Sequence, residues 1–186
     1  MAKRRSPKRV DLDLKTFREA HRHLNPTLLL EHARVALSLH HQSPAKIEVL
    51  ARTSMVALVN FGRPNSRSIY TLQPKEFTEK GAVVIAGLLL HALENKVITM
   101  VTEIGDRCDY FVGDKPGDTR WLLEVSGTEH GDIRVRFDLK RSQLLDSRLT
   151  AYPFVRGGFV AVTRFASPAA SVLGHIPMGR QRRRRG

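Results

Sequence analysis

Cys108-Asp109-Tyr110-Phe111-Val112 and Trp121-Leu122-Leu123-Glu124-Val125-Ser126-Gly127-Thr128 are the stretches on which the reading of this chain turns. Asp114-Lys115-Pro116-Gly117-Asp118, between them, is a strong turn signal, so the two predict neighbouring strands of one hairpin. Each strand carries one acid among strand-forming apolar residues. A charge inside such a run costs free energy unless it is paired, hydrogen-bonded or bound to a cation. Two acids on adjacent strands make a carboxylate pair. Oxygen pairs of that kind hold Mg²⁺, which takes one or two carboxylates and keeps waters for chemistry on phosphates. The competing reading puts Asp109 at a strand edge and Glu124 in solvent. Asp106 competes with Asp109, but it lies in the Gly105-Asp106 turn, where Asp is common for turn geometry alone.

Working outward from the hairpin, Pro74 to Asn95 predicts a helix with Pro at its start and apolar residues nearly all round from Ala82 to Leu93. A helix that apolar is buried, here against a sheet. Val97 to Ile104 predicts a strand, Arg107 to Val112 a second and Arg120 to Ser126 a third. Ile133 to Phe137 reads as a further short strand. Asp138 is placed to cap a helix running to about Leu149. Phe159 to Phe165 then reads as the last strand. On the N-terminal side, residues 11–60 read as helical. Asp11 or Asp13 caps a first helix carrying Leu14, Phe17 and Ala20. Pro26 after Asn25 opens a second, with Leu29, Leu30, Ala33, Leu37 and His40 along one side. Ser43-Pro44 opens a third, with Ile47, Leu50 and Met55 to Val59 inward. Ser68 to Leu72 reads as a short strand or extended link.

The order helix, three-strand meander, helix, strand, with an acid on the second strand and Glu-x-x on the third, resembles the PD-(D/E)XK nuclease superfamily, the restriction-endonuclease-like fold. The resemblance covers about residues 74–166. The fold class expected is α/β: a restriction-endonuclease-like core over 71–179 with a helical N-terminal extension over 11–70, flanked by a basic arm (1–10) and an arginine-rich tail (180–186). The family's acid maps onto Asp109 and its (D/E)XK element onto Glu124-Val125-Ser126. Ser126 stands where the family has lysine. Several branches carry that lysine on the following helix, which maps it onto Lys140. Gln143 shares the helix face of Lys140.

The resemblance implies a Mg²⁺- or Mn²⁺-dependent endonuclease hydrolysing phosphodiester bonds. Asp109, Glu124 and the Val125 carbonyl would hold the metal, and Lys140 would stabilise charge on the phosphate or position the water. The first helix of this fold often supplies a third acid. Its beginning lies near the start of the second strand, so Glu79 or Glu76 is better placed than Glu94.

The chain of 186 residues is long enough for one domain with a substantial core. Its 31 Lys and Arg against 18 Asp and Glu give a formal charge of +13. Ten of the basic residues lie in the first nine and last seven positions, which leaves 21 against 18 in the body. Both ends are therefore basic arms on a nearly neutral globule, and such arms attract polyanions, nucleic acid first. Within the body, residues 97–132 hold eight acids and three bases, and residues 133–164 hold seven bases and two acids. An acidic metal cup beside a basic track suits a nuclease, with Arg134, Arg136 and Arg141 on the track and Arg183 and Arg184 in the tail.

The partner expected is nucleic acid, DNA ahead of RNA, with a homodimer or protein partner compatible. The single cysteine, Cys108, permits no intrachain disulfide and reads as core filler, and the location expected is cytoplasmic. The most apolar run, 81–93, is too short to span a bilayer. His21-x-His23, His32 and His40-His41 lack the four spaced ligands of a structural zinc site. The alternative function is a degenerate nuclease-fold module that binds nucleic acid or protein without catalysis. A weaker third reading is an RNA-associated protein acting through its arms.

Overall fold

A computed structural model describes residues 8–102, 108–150, 152 and 154–177, with backbone alone for 147–150. The elements run β1 (Lys8–Asp13), α1 (Leu14–Ala20), a 3-10 turn (Arg22–Leu24), α2 (Pro26–Ser38), β2 (Ala45–Leu50), β3 (Ser54–Asn60), α3 (Ser66–Thr71), α4 (Pro74–Glu94), β4 (Val97–Val101), β5 (Tyr110–Gly113), β6 (Trp121–Thr128), α5 (Ile133–Thr150), β7 (Gly157–Arg164) and β8 (Ala170–Pro177). The fold is α/β around a mixed eight-stranded sheet of order β1-β3-β2-β8-β7-β6-β5-β4. β4, β5 and β6 form an antiparallel meander, and β7 lies parallel to β6 after the α5 crossover.

Helices cover both faces of the sheet. α4 packs on β6 and β7, with α1 and α2 against its outer side, and α5 packs on β6, β7 and β8 from the opposite face. That double cover explains why Leu122 to Val125 are buried without a break. Alternation along β6 sends Leu123 and Val125 into the larger core beneath α4, and Leu122 into the smaller core beneath α5 with Cys108, Phe111 and Leu144. Glu124 is on the α5 face by the same alternation. Residues 81–90 of α4 are all buried because this helix lies between the sheet and a second helical layer.

The N-terminal region corrects the expectation of a helical extension. Residues 45–60 form the β2–β3 hairpin, not a third helix. Ala45, Ile47 and Val49 face the core while Lys46 and Glu48 are exposed, a period of two that a helix cannot satisfy. Residues 8–10 of the expected basic arm and 11–13 of the expected helical region form edge strand β1, with Leu12 inward and charged residues on the open side. β2 pairs with β8, so the boundary expected near residue 70 falls inside one continuous sheet. β8 itself had no counterpart in the sequence reading.

Two further elements change type. Residues 66–71 are helix α3, because Asn65 Oδ1 caps the Arg67 N–H at 3.0 Å. Ile133–Phe137 is the start of α5 instead of a strand. Asp132, not Asp138, caps it, accepting from the N–H groups of Arg134 at 2.7 Å and Val135 at 3.4 Å. Asp13 caps α1 as one of the two residues expected to do so, accepting from Lys15 N–H at 2.7 Å. Among the described residues no helix is long and apolar enough to cross a membrane. The Gly105-Asp106 turn and the tail arginines Arg183 and Arg184 lie outside the described residues.

Candidate active site

β5 is short, and its first ladder pair is Tyr110 with Leu123. Residues 124–128 of β6 therefore run on with β7 on one side and no β5 partner on the other. Asp109 stands at this break. Its Oδ2 accepts the Val125 N–H at 2.8 Å, taking the place of a ladder carbonyl. In a strand a residue's N–H and C=O leave on the same edge, so the Val125 carbonyl faces the same notch.

The notch is a cleft of about 340 Å³ lined by Glu79, Lys80 and Val83 from α4, Asp109 and Tyr110, Val125 and Ser126 from β6, and Lys140 from α5. It is open to both helical layers because it sits where the sheet loses a strand.

Lys140 joins the two acids. Its Nζ lies 2.7 Å from Glu124 Oε2 and 3.7 Å from Asp109 Oδ2. The Glu124 side chain is 1 % exposed and the Lys140 side chain 24 %. Burial pushes the Glu124 carboxyl up to about 8, the neighbouring Asp109 carboxylate adds to the rise, and the Lys140 ammonium opposes it. Burial pulls Lys140 down most strongly of any single influence, but the two carboxylates together outweigh it and hold the ammonium above its ordinary value. One ammonium thus serves two acids. Glu124 Oε1 remains buried with no hydrogen-bond partner. A buried carboxylate oxygen in that state is rare without a further ligand.

The oxygen donors fit a divalent cation. Asp109, Glu124 and the Val125 carbonyl are hard ligands, the orphaned Oε1 lacks a partner, and Mg²⁺ needs only one or two carboxylates with waters completing its shell. Among the described residues no group of three or more His, Cys, Asp or Glu converges. Histidines at 21 and 23 do other work. Ile98 N–H donates to His21 Nε2 at 3.1 Å and His23 Nε2 lies 2.8 Å from Ile98 O, so together they occupy the backbone groups of an edge strand.

Two close packings position the cleft. A Cβ on Gly127 would lie 1.8 Å from the Thr78 carbonyl oxygen and 2.9 Å from Glu79 N. Only glycine there lets the first turns of α4 approach β6, which brings Glu79 and Lys80 to the notch. On the other face, Leu144 sits over Gly158, where a Cβ would be 2.6 Å from its Cδ1. That contact seats α5 with Lys140 above Glu124.

Comparison of the chain with protein-family models, with curated proteins and with solved structures finds no match.

Of the residues singled out from sequence, Asp109, Val125, Lys140 and Glu79 line one notch, and Glu124 lies buried beside it against Lys140. Glu94 lies at the far end of α4, paired with Arg52 at 3.2 Å. Gln143 is exposed on α5 and is not among the residues lining the cleft, since Leu144 takes the sheet-facing position one turn after Lys140. The α5 arginines diverge. Arg136 Nη1 donates to Ser126 Oγ at 3.3 Å, at the rim of the notch. Arg134 lines a separate cavity of about 690 Å³ with Arg52, Phe137 and His175, and Arg141 is exposed.

Cys108 is buried and its thiol is pushed up to about 12, first by burial and then by the Glu124 carboxylate, so it is core and not a nucleophile. Lys80, Val83 and Tyr110 are the cleft residues that sequence reasoning missed. Lys80 carries a local signal, standing four residues after Glu76 on a helix face.

Proposed function

We propose that this protein is a divalent-metal-dependent nuclease whose residues 74–164, the run α4-β4-β5-β6-α5-β7, form a divergent restriction-endonuclease-like core. The observation that carries the reading is the meeting of Asp109, Glu124 and Lys140 from three separate elements at one notch in the sheet, with a buried Glu124 oxygen left unpartnered. The lysine that Ser126 lacks is supplied by Lys140 from the following helix. Ser126 itself receives the Arg136 guanidinium.

Asp109, Glu124 and the Val125 carbonyl would hold Mg²⁺ or Mn²⁺. Once bound, the ion supplies an activated water at neutral pH and charge stabilisation at the phosphate. Asp109 is fixed for that role by the Val125 N–H. Glu124 is kept in a dry setting where its interaction with cations is strong. Lys140 neutralises the acid pair and holds it in register. Arg136 and the basic arms give the cleft its attraction for a polyanion. A protein of this kind acts on nucleic acid, with DNA the first substrate to test.

The test is incubation of the purified protein with single-stranded and duplex DNA and RNA in Mg²⁺, Mn²⁺ or EDTA, beside Glu124→Gln. Cleavage that needs the ion and falls by about a thousandfold in the variant is the expected outcome. Binding with no cleavage under any condition favours the non-catalytic module instead.

A further inference from the structure

We infer that Lys80 is the residue through which the cleft grips a phosphate of the substrate, an inference that rests on the nuclease reading above. Lys80 and Lys140 reach the notch from opposite faces of the sheet, one from α4 and one from α5. Their anchoring differs. Lys140 lies 2.7 Å from a Glu124 carboxylate that is 1 % exposed, and 3.7 Å from Asp109. Withdrawing Lys140 would leave a buried acid without its counter-charge, a change that proteins resist strongly. Lys80 lies 2.7 Å from Glu76 Oε1, with the two side chains 39 % and 40 % exposed. An i, i+4 pair this exposed is held weakly and exchanges readily for another anion. When a polyanion enters, Lys80 is the ammonium free to turn to it.

Glu76 has one further neighbour, which can pair with it only as a charged imidazolium. His32 Nε2 lies 3.4 Å from the same Oε1, with its ring fully buried and its Nδ1 directed at Leu28 O at 2.7 Å. Nε2 has no hydrogen bond of its own, so the imidazole is left facing the carboxylate that Lys80 would vacate. Gly127 sets the reach, because the close passage of α4 over β6 at Thr78 brings the next turn of the helix to the cleft. Arg136 stands at Ser126 on the α5 side. A phosphodiester backbone crossing the notch therefore meets Lys80 from one face of the sheet and Arg136 from the other, with the Asp109–Glu124 pair between them.

The experiment measures binding of fluorescein-labelled single-stranded and duplex DNA by anisotropy, over a salt series, in a Glu124→Gln background that keeps the probe intact. Lys80→Met and Lys80→Arg are compared in that background, and steady-state kinetics of Lys80→Met are measured with Glu124 present. Lys80→Met is expected to weaken binding about tenfold and to lower the slope of log Kd against log salt by about one. KM should rise while kcat stays near that of the unmodified protein, and Lys80→Arg should restore both affinity and slope. Unchanged affinity and slope would overturn the inference, as would weaker binding with an unchanged slope, which marks a structural role. An unmodified protein that cleaves nothing overturns the nuclease reading, while the salt series still decides whether Lys80 contacts phosphate.

Discussion

β5 is four residues long and has an acid beyond each end, and the two ends are opposites. At its start, Asp109 and the neighbouring Glu124 share Lys140 in a partly enclosed notch. Beyond its end, Asp114 and Asp118 meet Arg120, and Lys96 reaches Asp114 at 2.9 Å. Lys96 and Arg120 lie over the Trp121 ring at 3.9 and 4.7 Å. Both clusters set acids of the one meander against neighbouring bases.

Their protonation runs in opposite directions. Burial lifts Glu124 to about 8, while hydrogen bonds from Arg120 hold Asp118 well below the usual carboxylate range, and Lys96 and Arg120 lower Asp114. The number of acids does not distinguish the two ends, since each has two. Access to water and the ratio of acids to bases do, and they separate a cluster strained enough to welcome a cation from one that is already satisfied.

The sharpest way to break this comparison is to remove the buried pair whole. Glu124→Leu with Lys140→Met should abolish metal-dependent cleavage yet leave the protein as stable or more so, by about 1–3 kcal/mol in urea unfolding. Lys140→Ala alone should cost about 3 kcal/mol, because Glu124 is then buried without its partner. A single change that proves harmless would mean the notch is wetter than its burial implies.

The same burial rule extends to His21, enclosed beside Phe17 and lowered from 6.5 to about 4, mainly by desolvation. Its folded form resists protonation, so between those two values the unfolded chain binds more protons and stability falls as pH falls. The loss begins near pH 6.5, is complete near pH 4 and reaches about 3 kcal/mol. Urea unfolding across that range should show the loss, and His21→Gln should shrink it.

Glycines at the two ends offer a finer contrast. Gly127→Ala drives a Cβ into the Thr78 carbonyl and should cost about 2–3 kcal/mol while displacing the α4 side of the cleft. Gly117→Ala, in the turn at the satisfied end, meets nothing within 4 Å and should cost about 1 kcal/mol, from its φ of +82° alone. Cleavage should fall with the first and not with the second. Smallest of all, Asp114→Asn should leave cleavage unchanged and the melting temperature nearly so, because exposed ion pairs contribute little.

The candidate site was more legible than the fold around it. Asp109 and Glu124 stood out because a charge among apolar strand residues demands a partner. Lys140 followed from the family resemblance, not from its own surroundings, which are ordinary for a helix. Lys80 stayed hidden because a Lys four residues after a Glu is what any solvated helix carries. The β2–β3 hairpin was misread although Ala45-Lys46-Ile47-Glu48-Val49 alternates cleanly, since the apolar run Met55 to Val59 matches either period over so short a span. β8 was missed because Gly174 and Pro177 weaken its strand signal. Its pairing with both β7 and β2 outweighs that weakness.

By itself the sequence determined what is local: the buried helix α4, the meander after it, the Asp13 cap, the Asp114-to-Asp118 turn, and which acids could not stand alone. Those follow from periodicity and from the cost of burying a charge, and both can be read along a chain. Tertiary structure alone decided that residues 8–60 join the sheet through β2 and β8, that Gly127 admits α4 to the notch, and that Lys140 lines the cleft where Gln143 does not. These depend on contacts between residues far apart in sequence, where strand register and side-chain volume choose among partners that local chemistry leaves equal.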